Sequence, residues 1–248
     1  TRYGDTIIDL MVIKEFIQQY PHKDYLIICP KQMEPYVNEF LPSIKCIAFN
    51  KRNLPKFIKV IKFLKSEAFD IGFNPWSNGL DSCYFISFCK KFLFYKDFDR
   101  PNIINHYQIV RRYLILPEKD WKINELSLKE NYTKILICPN STDLNRNLPI
   151  KKMDQIIFEL QNTYNRPEIV IASMDKSYFR DGCKKFMFEK SVHSSMRFLE
   201  LMKQSSLIIC SDSGPLHIAL ALKKDLLAFM ISTDPKIVIN TGSCVIIK

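Results

Sequence analysis

Three stretches of the chain put polar and charged residues where an apolar run gives way to a helical pattern. Residues 210–222 read CSDSGPLHIALAL and follow the run Leu207-Ile208-Ile209. The abrupt change to Asp-Ser-Gly-Pro predicts a strand end and then a helix start, with Asp212 or Ser213 as cap and Gly214-Pro215 in the first turn. Gly214 lets a ligand come close to the backbone, and Pro215 omits an N–H that would lack a partner there. The free amides and the helix dipole at such a start favour an anion, a diphosphate in particular. His217, one turn in, either packs structurally or donates a hydrogen bond and balances charge beside that anion.

Residues 138–157, CPNSTDLNRNLPIKKMDQII, repeat the arrangement. Ser141 and Thr142 offer adjacent hydroxyls, and Arg146 a guanidinium, ahead of a proline helix start at Pro149. The segment is either an ordinary loop or a phosphate grip in which hydroxyls and guanidinium donate to a diphosphate. At the other end, TRYGDTIIDLMVIKEFI places Gly4-Asp5 before a helix with Ile7, Leu10, Met11 and Ile13 as its apolar positions. Asp5 can cap that helix, or it can act as the general base that takes a proton from an acceptor hydroxyl.

The elements that must carry these residues alternate along the chain. Strand candidates are 25–29, 44–49, 69–73, 134–138, 168–172, 206–210, 225–230 and 244–248. Helical patterns fall at 6–20, 54–66, 105–116, 149–164, 196–204 and 214–222. This alternation predicts an α/β fold with parallel sheets and helices on both faces, so ligands should collect at the carboxyl ends of strands. The segment 116–134 is polar, carries a proline and has no period. It reads as a linker between two α/β domains, 1–130 and 131–248, with a long surface excursion as the competing reading.

Composition narrows the class further. The 248 residues contain 47% hydrophobic and 25% charged side chains, as in a globular protein, and no apolar run approaches the roughly 18 residues of a membrane span. Only six glycines occur, and neither G-x-G-x-x-G nor a Walker motif is present, which argues against an ordinary dinucleotide dehydrogenase or P-loop ATPase. The eight cysteines are scattered without metal-binding spacing, so free thiols in a reducing, cytoplasmic compartment are expected. The net charge is +10. Its densest patch, KRNLPKFIKVIKFLK at 51–65, spells an amphipathic helix with lysines at 56, 59, 62 and 65. That helix could be packed with a solvated face, lie against an anionic membrane surface, or meet nucleic acid, though no RNA-binding or zinc-finger motif accompanies it.

Taken together, the three polar stretches resemble glycosyltransferase family 9, the lipopolysaccharide heptosyltransferases. DSGPLHIALAL resembles the D-[ST]-G-P-x-H-x-A-x-A-L signature of that family, NSTDLNRNLP its hydroxyl-hydroxyl…Lys/Arg-x-[WL]-P segment, and GDTIIDLMVIKEF its Gly-Asp opening. EIVIASMDK, FMISTDP and NHYQIVRRYL are weaker echoes. The resemblance implies a GT-B fold of two Rossmann-like domains facing across a cleft. It also implies an inverting, metal-independent glycosyltransferase without cofactor, acting from a nucleoside-diphosphate sugar, ADP-heptose in the family, on a lipopolysaccharide core-type acceptor. Asp5 would match the catalytic base. Gly4, Ser141, Thr142, Arg146, Asp212, Ser213, Gly214 and His217 would match the substrate-binding set, with Asp175 at the nucleoside ribose. The same resemblance places the protein in the cytoplasm, peripheral on the inner membrane, with 51–65 as its membrane contact and no nucleic-acid partner. Transfer to a protein or another surface glycan, and sugar-nucleotide binding without catalysis, are the alternatives. The sequence departs from the family pattern in three ways. Arg146 stands where lysine is commoner, Ala172-Ser173 stand where glycines are usual, and three residues precede Gly4 where a strand would lie.

Overall fold

The computed structural model describes residues 3–50, 53–74, 84–94, 106–117, 122–125, 127–239 and 241–247. The chain divides into two compact units, Asp9–Lys119 on one hand and Thr1–Ile8 with Asp120–Lys248 on the other. Helix α1 (Tyr3–Gln19) therefore begins in one unit and ends in the other.

The larger unit is built on seven strands. They are β5 (Lys122–Glu125), β6 (Lys134–Cys138), β7 (Glu168–Ser173), β8 (Lys184–Met187), β9 (Leu207–Ser211), β10 (Asp225–Phe229) and β11 (Thr241–Ile247). They lie in the order β5-β11-β10-β9-β6-β7-β8, every neighbouring pair parallel. The central strands are continuous apolar runs because both faces are covered, and all five residues of β9 are buried. Helices α5 (Ile150–Thr163), α6 (Val192–Gln204) and α7 (Gly214–Ala221) connect them. Met153, Ile157 and Leu160 of α5 recur at helical spacing and enter a core with Ile135, Ile137, Ile169, Ile171, Leu207 and Ile209. Ser191 starts α6 by accepting from Ser194 N at 3.1 Å.

The smaller unit carries two parallel pairs. These are β1 (Leu26–Pro30) with β2 (Lys45–Phe49), and β3 (Ile71–Asn74) with β4 (Lys91–Phe94). Its helices are α2 (Glu34–Phe40), α3 (Leu54–Glu67), α4 (His106–Tyr113) and the remainder of α1. Helix α4 holds α1 by polar contacts. His106 Nε2 lies 3.1 Å from the buried Asp9 carboxylate, and both Tyr107 and Arg111 donate to Glu15.

The division of the chain falls upstream of the expected boundary near residue 130, for an identifiable reason. The expected linker contains β5, which pairs with β11 from Lys122↔Thr241 to Glu125↔Cys244 and so belongs to the large sheet. Residues 1–8, expected with the N-terminal domain, belong to the C-terminal unit because their helical turn packs there, as described below. Of the eight cysteines, Cys83 lies outside the described residues, and the other seven are free thiols, five of them buried. Cys138 and Cys210 sit side by side on β6 and β9, and burial pushes both thiols up, so they stay protonated.

With few glycines available, ordinary residues stand in left-handed positions. Both α4 and α7 end in a Schellman arrangement. At α4, Leu116 N donates to Arg111 O and Ile115 N to Arg112 O; at α7, Lys224 N donates to Ala219 O and Lys223 N to Leu220 O. The residues at the glycine position are Ile115 and Lys223, each with φ of 55°. A left-handed L-residue costs roughly 1–2 kcal/mol, and a β-branched one is an outlier there. Ile115 is 82% exposed, so its side chain offers little burial in return. Ile115→Gly and Lys223→Gly are each expected to raise stability by about 1 kcal/mol, seen as a higher urea midpoint at unchanged slope.

Candidate active site

The order of the large sheet reverses between β6 and β9. From β6 the chain moves outward to β7 and β8, then returns to β9 on the other side of β6 and continues through β10 and β11. Such a switch point opens a crevice at the carboxyl ends of the two flanking strands. Ser141, Thr142 and Arg146 follow β6, and Asp212, Ser213 and Gly214 follow β9. Two of the three polar stretches thus meet where the topology leaves room for a ligand.

The loop after β6 is held by its own polar groups. Asn147 Oδ1 accepts from Ser141 N at 2.6 Å, Ser141 Oγ accepts from Asp143 N at 3.4 Å, and Leu148 N donates to Pro139 O at 2.9 Å above a buried Leu148 side chain. Asp143 caps a single 3-10 turn, Leu144–Arg146, by accepting from Asn145 N at 3.1 Å. Ser141 is buried and Thr142 exposed. The turn carries Arg146 across to the neighbouring loop, where Nη1 donates to Asp212 Oδ2 at 2.9 Å. Arg146 Nε also lies 3.4 Å from Asp143 Oδ2, so two carboxylates flank the guanidinium.

The loop after β9 differs from expectation at its cap. Ser213 is the N-cap residue of α7 in extended conformation, yet its hydroxyl donates to Ser211 O at 3.2 Å, and no cap side chain accepts from the first turn. The Asp212 carboxylate is engaged by Arg146 instead. Pro215 has no N–H and Leu216 N donates to Ser213 O at 3.1 Å, so the first-turn donor that no cap side chain serves is the Gly214 amide.

The third stretch joins the other two within the same unit. The first turn of α1 rests on the first turn of α7 with almost no clearance. A Cβ on Gly4 would stand 2.6 Å from His217 Cδ2, and one on Gly214 would stand 3.0 Å from Tyr3 Cβ. A side chain at Gly4 would force His217 to shift, and one at Gly214 would need Tyr3 to give by a few tenths of an ångström. Tyr3 anchors the turn, its ring edge-on to Phe188 at 5.7 Å between centroids and its hydroxyl 3.4 Å from Ser195 Oγ. Burial raises the Tyr3 phenol, and the Ser195 contact offsets part of that. Asp5, half-buried, follows directly, and His217 is buried beneath Gly4.

Asp175 lies on the loop after β7. Its Oδ1 accepts from Ser177 N at 2.9 Å to cap a short 3-10 turn, and this backbone donor lowers its acidity range, keeping it ionised. Ser173, buried at the end of β7, donates to Asn140 and accepts from Asp175 N at 2.9 Å, tying the β7 loop to the β6 loop. Sequence reasoning missed Tyr3, Asn140, Asn147 and Ser173. Only Tyr3 left a signal, as a large aromatic directly before Gly-Asp.

Comparison with known proteins adds to this geometry. The family model described as glycosyltransferase family 9 (heptosyltransferase) matches residues 192–242, which hold α6, β9, the Asp212–Gly214 loop, α7 and β10. The match is confined to that segment. Likeness in fold extends along the whole chain. Escherichia coli ADP-heptose LPS heptosyltransferase II superposes with a TM-score of 0.70 at 15% identity, covering 100% of this chain and 88% of that one. E. coli heptosyltransferase WaaC with ADP gives 0.71 at 10%, covering 100% and 91%. A family 9 glycosyltransferase from Veillonella parvula gives 0.70 at 14%, covering 100% and 83%. The fold is the GT-B fold of those heptosyltransferases. Comparison with curated proteins by sequence gives no significant match.

Two measurements test the packing described here. Gly4→Ala drives a methyl into His217, and is expected to destabilise the protein by about 2 kcal/mol in urea unfolding. The double variant Gly4→Ala/His217→Ala makes room for that methyl and recovers part of the loss, so additive losses would contradict the contact. Asp212 is 3% exposed and Arg146 36%. Arg146→Ala strands a buried carboxylate and should cost about 3 kcal/mol, whereas Asp212→Asn removes the buried charge and should cost less.

Proposed function

We propose that the protein is an inverting glycosyltransferase that moves a heptose, or a related sugar, from a nucleoside-diphosphate sugar to a lipopolysaccharide core-type acceptor. ADP-heptose is the favoured donor, because the E. coli structures of the same fold are an ADP-heptose heptosyltransferase and WaaC with ADP. The observation that carries the reading is the meeting of three elements in one unit: the Arg146 loop, the uncapped start of α7, and the Gly4-Asp5 turn pressed against it.

In this reading the diphosphate lies at the switch point. The Gly214 amide at the start of α7, the hydroxyls of Ser141 and Thr142, and Arg146 donate to its oxygens, and Gly214 admits the close approach. Asp212 carries no donor for a phosphate and acts by holding Arg146 in place, as does Asp143 from the other side. Arg146 keeps the positive charge of the commoner lysine and adds a fork that can serve an acid and a phosphate together. Asp175, ionised and exposed on the next loop, accepts from the ribose hydroxyls.

Asp5 takes the proton from the acceptor hydroxyl as its oxygen attacks the anomeric carbon. The bond from that carbon to the diphosphate breaks on the opposite face, so configuration inverts and the nucleoside diphosphate leaves with the electron pair. Negative charge grows on the leaving oxygens, where aimed donors are worth about 3 kcal/mol each at the transition state. Arg146 and the helix start supply this stabilisation, so the rate should be insensitive to a chelator. His217, beneath Gly4, fixes the turn that carries the base. Seven free thiols accord with work in the cytoplasm, where the donor would be met.

The decisive variant is Asp5→Asn. It should lower transfer from ADP-heptose at least about a hundredfold while leaving the dissociation constant for ADP within about twofold. Wild-type turnover in that variant, or ADP binding untouched by Arg146→Ala, would remove the proposed roles.

A further inference from the structure

The carboxyl end of β7 carries a hydroxyl that the strand itself does not need. Its residues are apolar from Ile169 to Ala172, and Ser173, which closes the strand, is 2% exposed. Burying a hydroxyl is costly unless it is hydrogen-bonded, and this one is engaged as both donor and acceptor. Ser173 Oγ donates to Asn140 Oδ1 and accepts from Asp175 N at 2.9 Å, with Asp175 O at 2.7 Å as a second acceptor for the same proton. Asn140 stands on the β6 loop, directly before Ser141, so one side chain ties together two segments 33 residues apart in sequence.

The two segments differ in what else holds them. The β6 loop keeps its shape through Ser141 N on Asn147 Oδ1 and Leu148 N on Pro139 O, neither of which involves Ser173. The segment after β7 is more open, with Met174 and Asp175 both exposed. Its short turn, Lys176–Tyr178, is anchored at the far end by the buried Tyr178, which meets Asn147. At the near end, where Asp175 stands, the anchor is Ser173. An alanine at 173 would keep the backbone bond from Phe188 N to Ser173 O and the pairing with β8, and would release this side-chain tie alone.

We infer that Ser173 is a positioning residue for nucleoside recognition, holding Asp175 at a set distance from the β6 loop so that one ligand can reach both. The role rests on the proposed function, in which Asp175 accepts from the ribose hydroxyls and the β6 loop grips the diphosphate. A nucleoside diphosphate has a fixed number of bonds between its ribose diol and its phosphates. An acceptor that drifts from the loop therefore loses the diol while the phosphates stay bound. Ordering the carboxylate in advance also spares part of the entropy cost of fixing it on binding. Serine stands here where glycines are usual in the family 9 pattern, so the tie is a feature of this chain.

The test is calorimetric titration of the whole chain with ADP, 2′,3′-dideoxy-ADP and inorganic pyrophosphate, with the melting temperature recorded alongside. The wild-type chain should bind ADP at least about tenfold more tightly than the dideoxy nucleotide, as hydrogen bonds to a carboxylate predict, and Asp175→Ala should bring that ratio to about one. Ser173→Ala should lower the ratio to about threefold or less while the dideoxy nucleotide and pyrophosphate bind within about twofold of wild type. Asn140→Ala breaks the same tie from its half-buried end and should do the same, which covers the case of a Ser173→Ala chain that does not fold. In the Asp175→Ala background, Ser173→Ala should change the ratio no further. A lower melting temperature with an intact ratio in Ser173→Ala and Asn140→Ala, beside a lost ratio in Asp175→Ala, would overturn the role of Ser173 and leave the proposed function standing. A wild-type ratio in Asp175→Ala, or a wild-type chain that does not bind ADP, would overturn the ribose contact of the proposed function and this role with it.

Discussion

Steric contact between two helix starts governs the rest of the arrangement. The first turn of α1 can touch the first turn of α7 only because neither Gly4 nor Gly214 carries a side chain. Each missing Cβ removes a clash that no rotamer change would relieve at Gly214, where the obstacle is the Cβ of Tyr3 itself. Closeness of this kind does two things together. It sets the start of α7 against the start of α1, and it puts Asp5 one residue from the Gly4 contact. The two residues to which the proposed reaction assigns donor binding and proton transfer, Gly214 and Asp5, are thus placed by packing more than by a flexible loop.

Charge in that region is arranged by opposition. Arg146 is flanked by Asp143 and Asp212, so the cation is held in one orientation before any ligand arrives. A guanidinium left to solvent would lose rotamer freedom on binding, and prior pairing removes part of that cost. In the proposed reaction two carboxylates beside the diphosphate would also repel it, tempering affinity and favouring release of the more highly charged product. The uncapped helix start and the loop hydroxyls supply neutral donors that do not suffer this competition.

The central part of the fold was legible because buried parallel strands must be apolar throughout. ILIC, EIVIA and SLIIC announced β6, β7 and β9 in this way. Both edges of the same sheet were missed. KINE at β5 and KKFM at β8 carry charge and little periodicity, as suits strands paired on one side only, and they take their order from β11 and β7. In the site, residue types were legible and partnerships were not. Asp212 read as a cap or ligand contact, and it is the partner of Arg146, 66 residues away. Asp5 read as lying across from the C-terminal domain, and it belongs with it. Local pattern reports which residues can do chemistry, whereas contacts between distant segments are set by packing that no short window contains.

A chain whose opening residues complete its C-terminal unit cannot be dissected by a single cut. A fragment starting near residue 120 would keep the seven strands and the segment matched by the family 9 model, yet it would lose the contacts of Tyr3 with Phe188 and Ser195 and those of Gly4 with His217 and Gly214. Isolation of that half as a faithfully folded module requires residues 3–8 to be supplied in trans or spliced back by circular permutation.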